Sequence, residues 1–307
     1  MWILHYADYC TAPANCPIIC RGAAIGVPPV ICDRVEFAPM IQHPGWDPVA
    51  LSIGPIQIHW YGISYLVGFW GCWWLGTIRA RQPQWNWPRE RIGDLLFYLV
   101  LGVILGGRVG YTFFYNLETF IHHPLVIFRI WEGGMSFHGG LIGVMVAAAI
   151  YARHIRMTFF DITDFIAPLV PFGLFCGRVG NFINQELWGA PSTLPWAMVF
   201  PKDPEQLPRH PSMLYEALLE GLVMLALLWL FSRKPKPRMA VSGAFLVLYG
   251  LFRTLVETVR LPDQQIDYLL GTGWITMGMV LSAPMWIGGL ILMAMAYRRG
   301  VRTQAVS

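Results

Sequence analysis

The chain has 307 residues, of which 55% are apolar and only 13% charged, with 14 Trp and a mean hydropathy of +0.48. A soluble domain carries about a quarter charged residues, so this composition excludes an ordinary soluble enzyme and points to a polytopic membrane protein. The net charge of +4 arises from short Lys/Arg clusters between apolar runs, the pattern of membrane loops and not of a nucleic-acid-binding face.

The first 39 residues contain Cys10, Cys16, Cys20 and Cys32, several prolines and no continuous apolar run, so they do not read as a signal peptide. They are expected to be an extension without a functional part, ahead of a plausible start at Met40. No CxxC or Cys/His metal spacing occurs.

Seven apolar segments follow, roughly 57–78, 93–115, 138–152, 161–183, 212–231, 241–260 and 273–297. The expected fold is all-α, with about seven transmembrane helices. The third segment is short for a ~30 Å hydrocarbon core and has to borrow flanking residues. The fourth holds Pro168, Pro171, Gly173, Gly177 and Gly180, which predicts a kinked, closely packed span.

Basic residues set the orientation. Arg79, Arg81, Arg89, Arg91, Arg153, Arg156, Arg233, Lys234, Lys236, Arg238, Arg298, Arg299 and Arg302 fall on one side of the segments. The other side has Arg21, Arg34, Arg129, Lys202, Arg209 and Arg260. The imbalance predicts an outside N-terminus and a cytoplasmic C-terminus. Three arginines, Arg108, Arg178 and Arg253, are left within spans, where a charge costs several kcal/mol and marks function by default.

On that orientation Tyr61, Arg108, His138, Arg178, Asn181, Tyr249, Arg253 and Glu257 all lie toward the outer face, from five separate segments. Arg178 and Asn181 share a helix face, as do Tyr249, Arg253 and Glu257. Guanidinium groups are permanently charged forks suited to phosphate or carboxylate, and the abundant anion at this depth is a phospholipid headgroup. His138 precedes Gly139-Gly140, and histidine is the usual proton acceptor near neutral pH. A satisfied interfacial histidine, and an ion pair of Arg253 with Glu257, are the plain structural alternatives. His210 and Cys176 are read as structural.

The run Gly177–Gly189 has the form G-R-x-G-N-F-x-N-x-E-x-x-G, which resembles the signature of the bacterial prolipoprotein diacylglyceryl transferases. Further matches are Ile58–Gly62, Gly106–Tyr111, Gly133–Gly140, Arg209–Glu216 and Tyr249–Arg253, so the resemblance spans about Met40 to Tyr297. It implies transfer of the diacylglyceryl group of phosphatidylglycerol to the lipobox cysteine of a prolipoprotein, at the outer face of the inner membrane. Family-essential residues carry over onto Tyr61, His138, Arg178, Asn181, Gly189, Tyr249, Arg253 and Glu257. Arg108 and Glu186 join the substrate-binding set, 184–211 becomes a periplasmic loop of the 40–307 membrane domain, and no metal or cofactor is implied. A transporter would show internal repeats and a midplane site, and neither is found. A lipid-binding scaffold would keep the arginines without needing His138 or Tyr61.

Overall fold

The computed structural model describes residues 41–54, 56–85, 87–129, 133–261 and 275–300. The proposed extension 1–39, with its four cysteines, lies outside them. The helices are α1 (Trp60–Ala80), α2 (Arg89–Tyr115), α3 (Leu117–His122), α4 (Phe137–His154), α5 (Phe159–Ile166), α6 (Val170–Asn184), α7 (Ser212–Phe231), α8 (Ala240–Glu257) and α9 (Met277–Arg299). Each of the seven apolar segments carries helix.

By length and hydropathy, four of the described helices, α2, α7, α8 and α9, are able to cross a membrane. A fifth candidate is the pair α4–α5, bent by 119° at its break. Large apolar side chains face outward along them, Phe114 at 82% exposure and Ile142 at 62%, as a lipid solvent permits and water does not. This is a membrane protein.

The fourth apolar segment is two helices, with Pro168 and Pro171 at their junction, because proline withholds the amide that would continue α5. The third gains its length from Phe137, with Ser136 as the N-cap accepting a hydrogen bond from Gly139 N.

Small residues set the close packing. On α2, Gly102 and Gly106 face Gly143 of α4 so tightly that a Cβ on Gly106 would fall 2.7 Å from Gly143 Cα. This is the small-xxx-small contact by which membrane helices approach when lipid supplies no hydrophobic drive.

A buried polar knot fixes the end of the molecule remote from Arg253 on α8. Asp164 of α5 accepts hydrogen bonds from Met239 N at 2.7 Å, Ser242 N at 2.8 Å and Ser242 Oγ at 2.6 Å. These include amides at the start of α8, where a carboxylate also meets the positive end of the helix dipole. Arg79 is 1% exposed beside it, donating to Ser232 Oγ and to the Asp164 carbonyl. The knot ties α1, α5, α7 and α8 together, and so sets where the far ends of α7 and α8 point.

At the opposite end, a small sheet forms from β1 (Ile41–Gln42), β4 (Met198–Val199) and β5 (Pro208–Arg209), β1 parallel and β5 antiparallel to β4. A separate hairpin pairs β2 (Val49–Ile53) with β3 (Ile56–His59) and leads directly into α1. His43, buried after β1, accepts from Gly45 N through Nδ1 and donates through Nε2 to the Phe182 carbonyl at 3.0 Å. Burial holds its ring below the usual histidine range, partly offset by that hydrogen bond. The sheet is thereby seated on the end of α6.

Candidate active site

Three helices contribute the centre of the site. Glu216 of α7 is 1% exposed, and its two oxygens are divided between arginines from different elements. Arg253 Nη1, on α8, donates to Oε1 at 2.6 Å, and Arg260 Nη1, just past α8, donates to the same oxygen at 3.2 Å. Arg178 Nε, on α6, lies 2.5 Å from Oε2, a charge contact whose N–H is not aligned as a hydrogen bond. A carboxylate this deep persists only when paired, and here the pairing is threefold.

The cluster extends in both directions. Arg253 Nη2 also donates to Glu257 Oε1, four residues on, and Glu257 Oε2 accepts from Thr276 Oγ1 at 2.7 Å. Arg178 Nη1 donates to Asn181 Oδ1 at 3.4 Å, and Asn181 Nδ2 donates to Glu186 Oε2 at 3.2 Å. That last contact depends on Gln185, a left-handed helix cap at φ 57°, ψ 49°, which turns the chain back over the helix end. Glu220 lies one turn beyond Glu216, fully buried, with Oε2 3.9 Å from Arg178 Nη2 and neither oxygen hydrogen-bonded.

Tyr61 flanks this centre, half-buried, 3.2 Å from the Tyr65 hydroxyl and within electrostatic reach of Arg178 and Glu186. Gly180 makes room for it, since a Cβ there would lie 3.0 Å from Tyr61 Cδ2. Tyr249, one turn before Arg253, feels the charges of Glu220, Arg253 and Arg178. A groove of about 580 Å³ runs beside Tyr61 and Asn184 from the outward-facing Leu66.

Gly189 shapes the backbone. Its N–H donates to the His210 carbonyl at 2.8 Å, it bridges to Arg260, and a Cβ there would lie 2.9 Å from His210 Cβ. It thus ties loop 184–211 to the chain just past α8. Within that loop Asp203 and Arg209, both nearly fully buried, form an ion pair at 2.5 Å. Burial favours the neutral Asp203, but the Arg209 hydrogen bond, neighbouring amides and Arg209's charge outweigh it and hold the carboxyl below its usual range. His210 Nδ1 lies 3.2 Å from the Tyr215 hydroxyl, and burial lowers its ring from the ordinary histidine range.

Two residues of the expected site stand apart from the cluster. His138 is the second residue of α4, exposed, its ring edge-on to Phe137, and none of its contacts among the described residues joins it to the arginines. Arg108, expected at the substrate, is instead 5% exposed and committed to backbone. Its guanidinium donates to the carbonyls of Val126, Ile127, Arg129, Gly133 and Gly134, which accounts for every N–H it has. It braces the segment leading into α4.

Residues 48–295 match the family model described as prolipoprotein diacylglyceryl transferase. The chain belongs to that family. It is 54% identical over 263 residues to the phosphatidylglycerol--prolipoprotein diacylglyceryl transferase of Azotobacter vinelandii, covering 86% of this chain and 99% of that protein. The enzymes of the same name from Ectopseudomonas mendocina and Pseudomonas fluorescens are each 55% identical, over 260 and 262 residues, covering 85% of this chain and 97% of each. This family member is accordingly a membrane transferase of lipoprotein biosynthesis.

For a prolipoprotein diacylglyceryl transferase, the arrangement offers convergent cations, a carboxamide and two phenols, one of which, Tyr61, also lines an apolar groove. Sequence reasoning missed Glu216, Glu220 and Arg260 as members of the centre. The two glutamates had a signal, being ionisable residues four apart inside an apolar segment. Arg260 had a weaker one, standing at the end of the sixth segment three residues after Glu257, a spacing that shares a helix face, although the orientation count sets it among the loop cations.

Proposed function

We propose that this chain transfers the diacylglyceryl group of phosphatidylglycerol to the lipobox cysteine of a prolipoprotein. The cysteine sulfur attacks the glycerol carbon that bears the phosphate, and that carbon–oxygen bond breaks. A thioether forms, and glycerol phosphate leaves with the bonding electrons.

Arg178 and Arg253 take up the charge that grows on the leaving phosphate, a role worth about 3 kcal/mol per well-placed donor. His138 accepts the thiol proton, since the thiolate is the nucleophile. Asn181 and Tyr61 orient the headgroup, Glu186 orients Asn181, and Tyr249 and Glu257 hold Arg253. The reaction written this way needs no cofactor, metal or covalent enzyme intermediate.

The observation that carries this reading is the convergence of Arg178 and Arg253, from separate helices, on one carboxylate, because a single phosphate is then within reach of both. The groove beside Tyr61 supports an approach for acyl chains from the lipid side.

The enzyme is placed in the bacterial inner membrane with seven spans, N-terminus outside, C-terminus cytoplasmic and site toward the periplasm. The Lys/Arg distribution and the helix found in each apolar segment support that topology. Purified protein mixed with phosphatidylglycerol and a lipobox peptide should add one diacylglyceryl mass to the peptide cysteine. An unmodified peptide, under conditions where the Azotobacter vinelandii enzyme modifies it, would refute the assignment.

A further inference from the structure

Three guanidinium groups meet at one point here, and like charges so close repel unless an anion holds them. Among the described residues Glu216 is the one carboxylate in contact with all three, Arg178, Arg253 and Arg260. The exposures show on which side it stands. Its side chain is 1% exposed, whereas those of Arg178, Arg253 and Arg260 are 18%, 14% and 13% exposed. The carboxylate therefore backs the cations from within, and they keep an outer face.

The backbone around it is built for the same purpose. Immediately after Glu216, residues Ala217–Val223 of α7 wind as a π-helix, a rare form that is frequent at functional sites. Gly221 in that stretch sits against Phe175 of α6, where a Cβ would fall 2.7 Å from Phe175 Cβ. This brings α7 onto the helix that carries Arg178. Arg260 is delivered separately, by the Gly189 bridge and by Ala190 N donating to the Val259 carbonyl at 2.9 Å.

We propose that Glu216 is a positioning residue, the buried anion that gathers Arg178, Arg253 and Arg260 into one three-guanidinium site for the lipid phosphate. Arg260 is then a third phosphate ligand. The proposal rests on the transferase reading above, and deepens it by naming what aims the cations.

The test is steady-state kinetics of the full chain with each substrate varied in turn. Glu216→Gln keeps the shape and removes the charge, so the KM for phosphatidylglycerol should rise about tenfold while the KM for the lipobox peptide stays within about twofold. Glu216→Asp, which restores the charge, should recover most of that loss. Arg260→Gln should also raise the lipid KM about tenfold, and the double variant should be little worse than either single one, because the two act as a unit.

An unchanged lipid KM in Glu216→Gln, or equal rises for both substrates, would overturn the proposal. Should Glu216→Gln fail to fold, Arg260→Gln decides alone, and a native lipid KM there overturns it. If the native chain makes no product, the transferase reading fails. The same variants are then compared for binding of short-chain phosphatidylglycerol, where unchanged affinity rejects the positioning role and about tenfold weaker affinity sustains it.

Discussion

Arg178 and Arg253 are on different helices and 75 positions apart in sequence, yet each holds its own oxygen of the Glu216 carboxylate. Neither is a generic positive charge. Arg178 reaches Glu216 through Nε and Asn181 through Nη1, a planar fork that a lysine ammonium cannot reproduce. Arg178→Lys should therefore keep the charge and lose at least about a hundredfold in kcat/KM, the scale of removing one oriented donor at a developing anion. The check is peptide mass gain against time, with folding confirmed by thermal melting; near-native turnover would remove Arg178 from the site.

His138 stands outside the ion-pair cluster, and the proposed reaction makes it the acceptor of the thiol proton. His138→Gln should lower kcat by about 10² or more, the usual scale of general base catalysis, with the KM for phosphatidylglycerol within about threefold of native. Raising the pH should restore part of the variant's rate, because solvent then ionises the thiol. A lipid KM that rises as steeply as kcat falls would make His138 a binding group.

How much of this was legible beforehand differs residue by residue, for physical reasons. The helices over 89–115 and 277–299 follow from the long, predominantly apolar segments 93–115 and 273–297, and the break in the fourth segment from its prolines. Arg178, Arg253 and Arg108 all declare themselves by being charges among apolar residues, but Arg108 stands apart from the other two. Its five hydrogen bonds go to carbonyls of a segment that folds back on it, and no local pattern encodes that fold-back. Glu216 and Arg260 depend on how α7 is rotated and where the chain goes after α8. Those features are set by tertiary packing such as the Asp164 knot and the Gly189 bridge, not by spacing.

Helix packing around Gly106 gives an independent test of the scaffold that carries His138. A side chain at that position meets Gly143 Cα within 2.7 Å, so α2 and α4 cannot keep their separation. Gly106→Val should destabilise the protein by about 2–3 kcal/mol, as overpacking in a close contact does. Gly93, whose Cβ would meet nothing within 4 Å, provides the control, and Gly93→Ala should be near neutral. Melting temperatures in detergent compare the two.

Cys176 sits on the same helix as Arg178, yet it is buried at 5% exposure and packed near Gly68 of α1. In that setting it serves as a small apolar side chain and not as a nucleophile. Cys176→Ala should retain activity within about twofold and cost roughly 1 kcal/mol for the lost sulfur, and an inactive but folded variant would revive covalent catalysis.

The loop tied to Arg260 through Gly189 should carry its own pH dependence. Asp203 is held ionised below its unfolded pKa, so its pairing with Arg209 contributes fully above the unfolded value, near 3.9, and is lost as pH falls through the depressed folded value. Protection of backbone amides in 196–210 from hydrogen exchange should thus hold from neutral pH to about pH 4 and decline below it, once the intrinsic pH dependence of exchange is corrected. Asp203→Asn should remove that acid dependence and weaken the loop at neutral pH by about 2 kcal/mol, since Arg209 loses a hydrogen-bonded anion and keeps only the exposed Glu205. Because Gly189 and His210 tie this loop to Arg260, the same variant should raise the lipid KM more than the peptide KM. Retained acid dependence in Asp203→Asn would show that another group controls the loop.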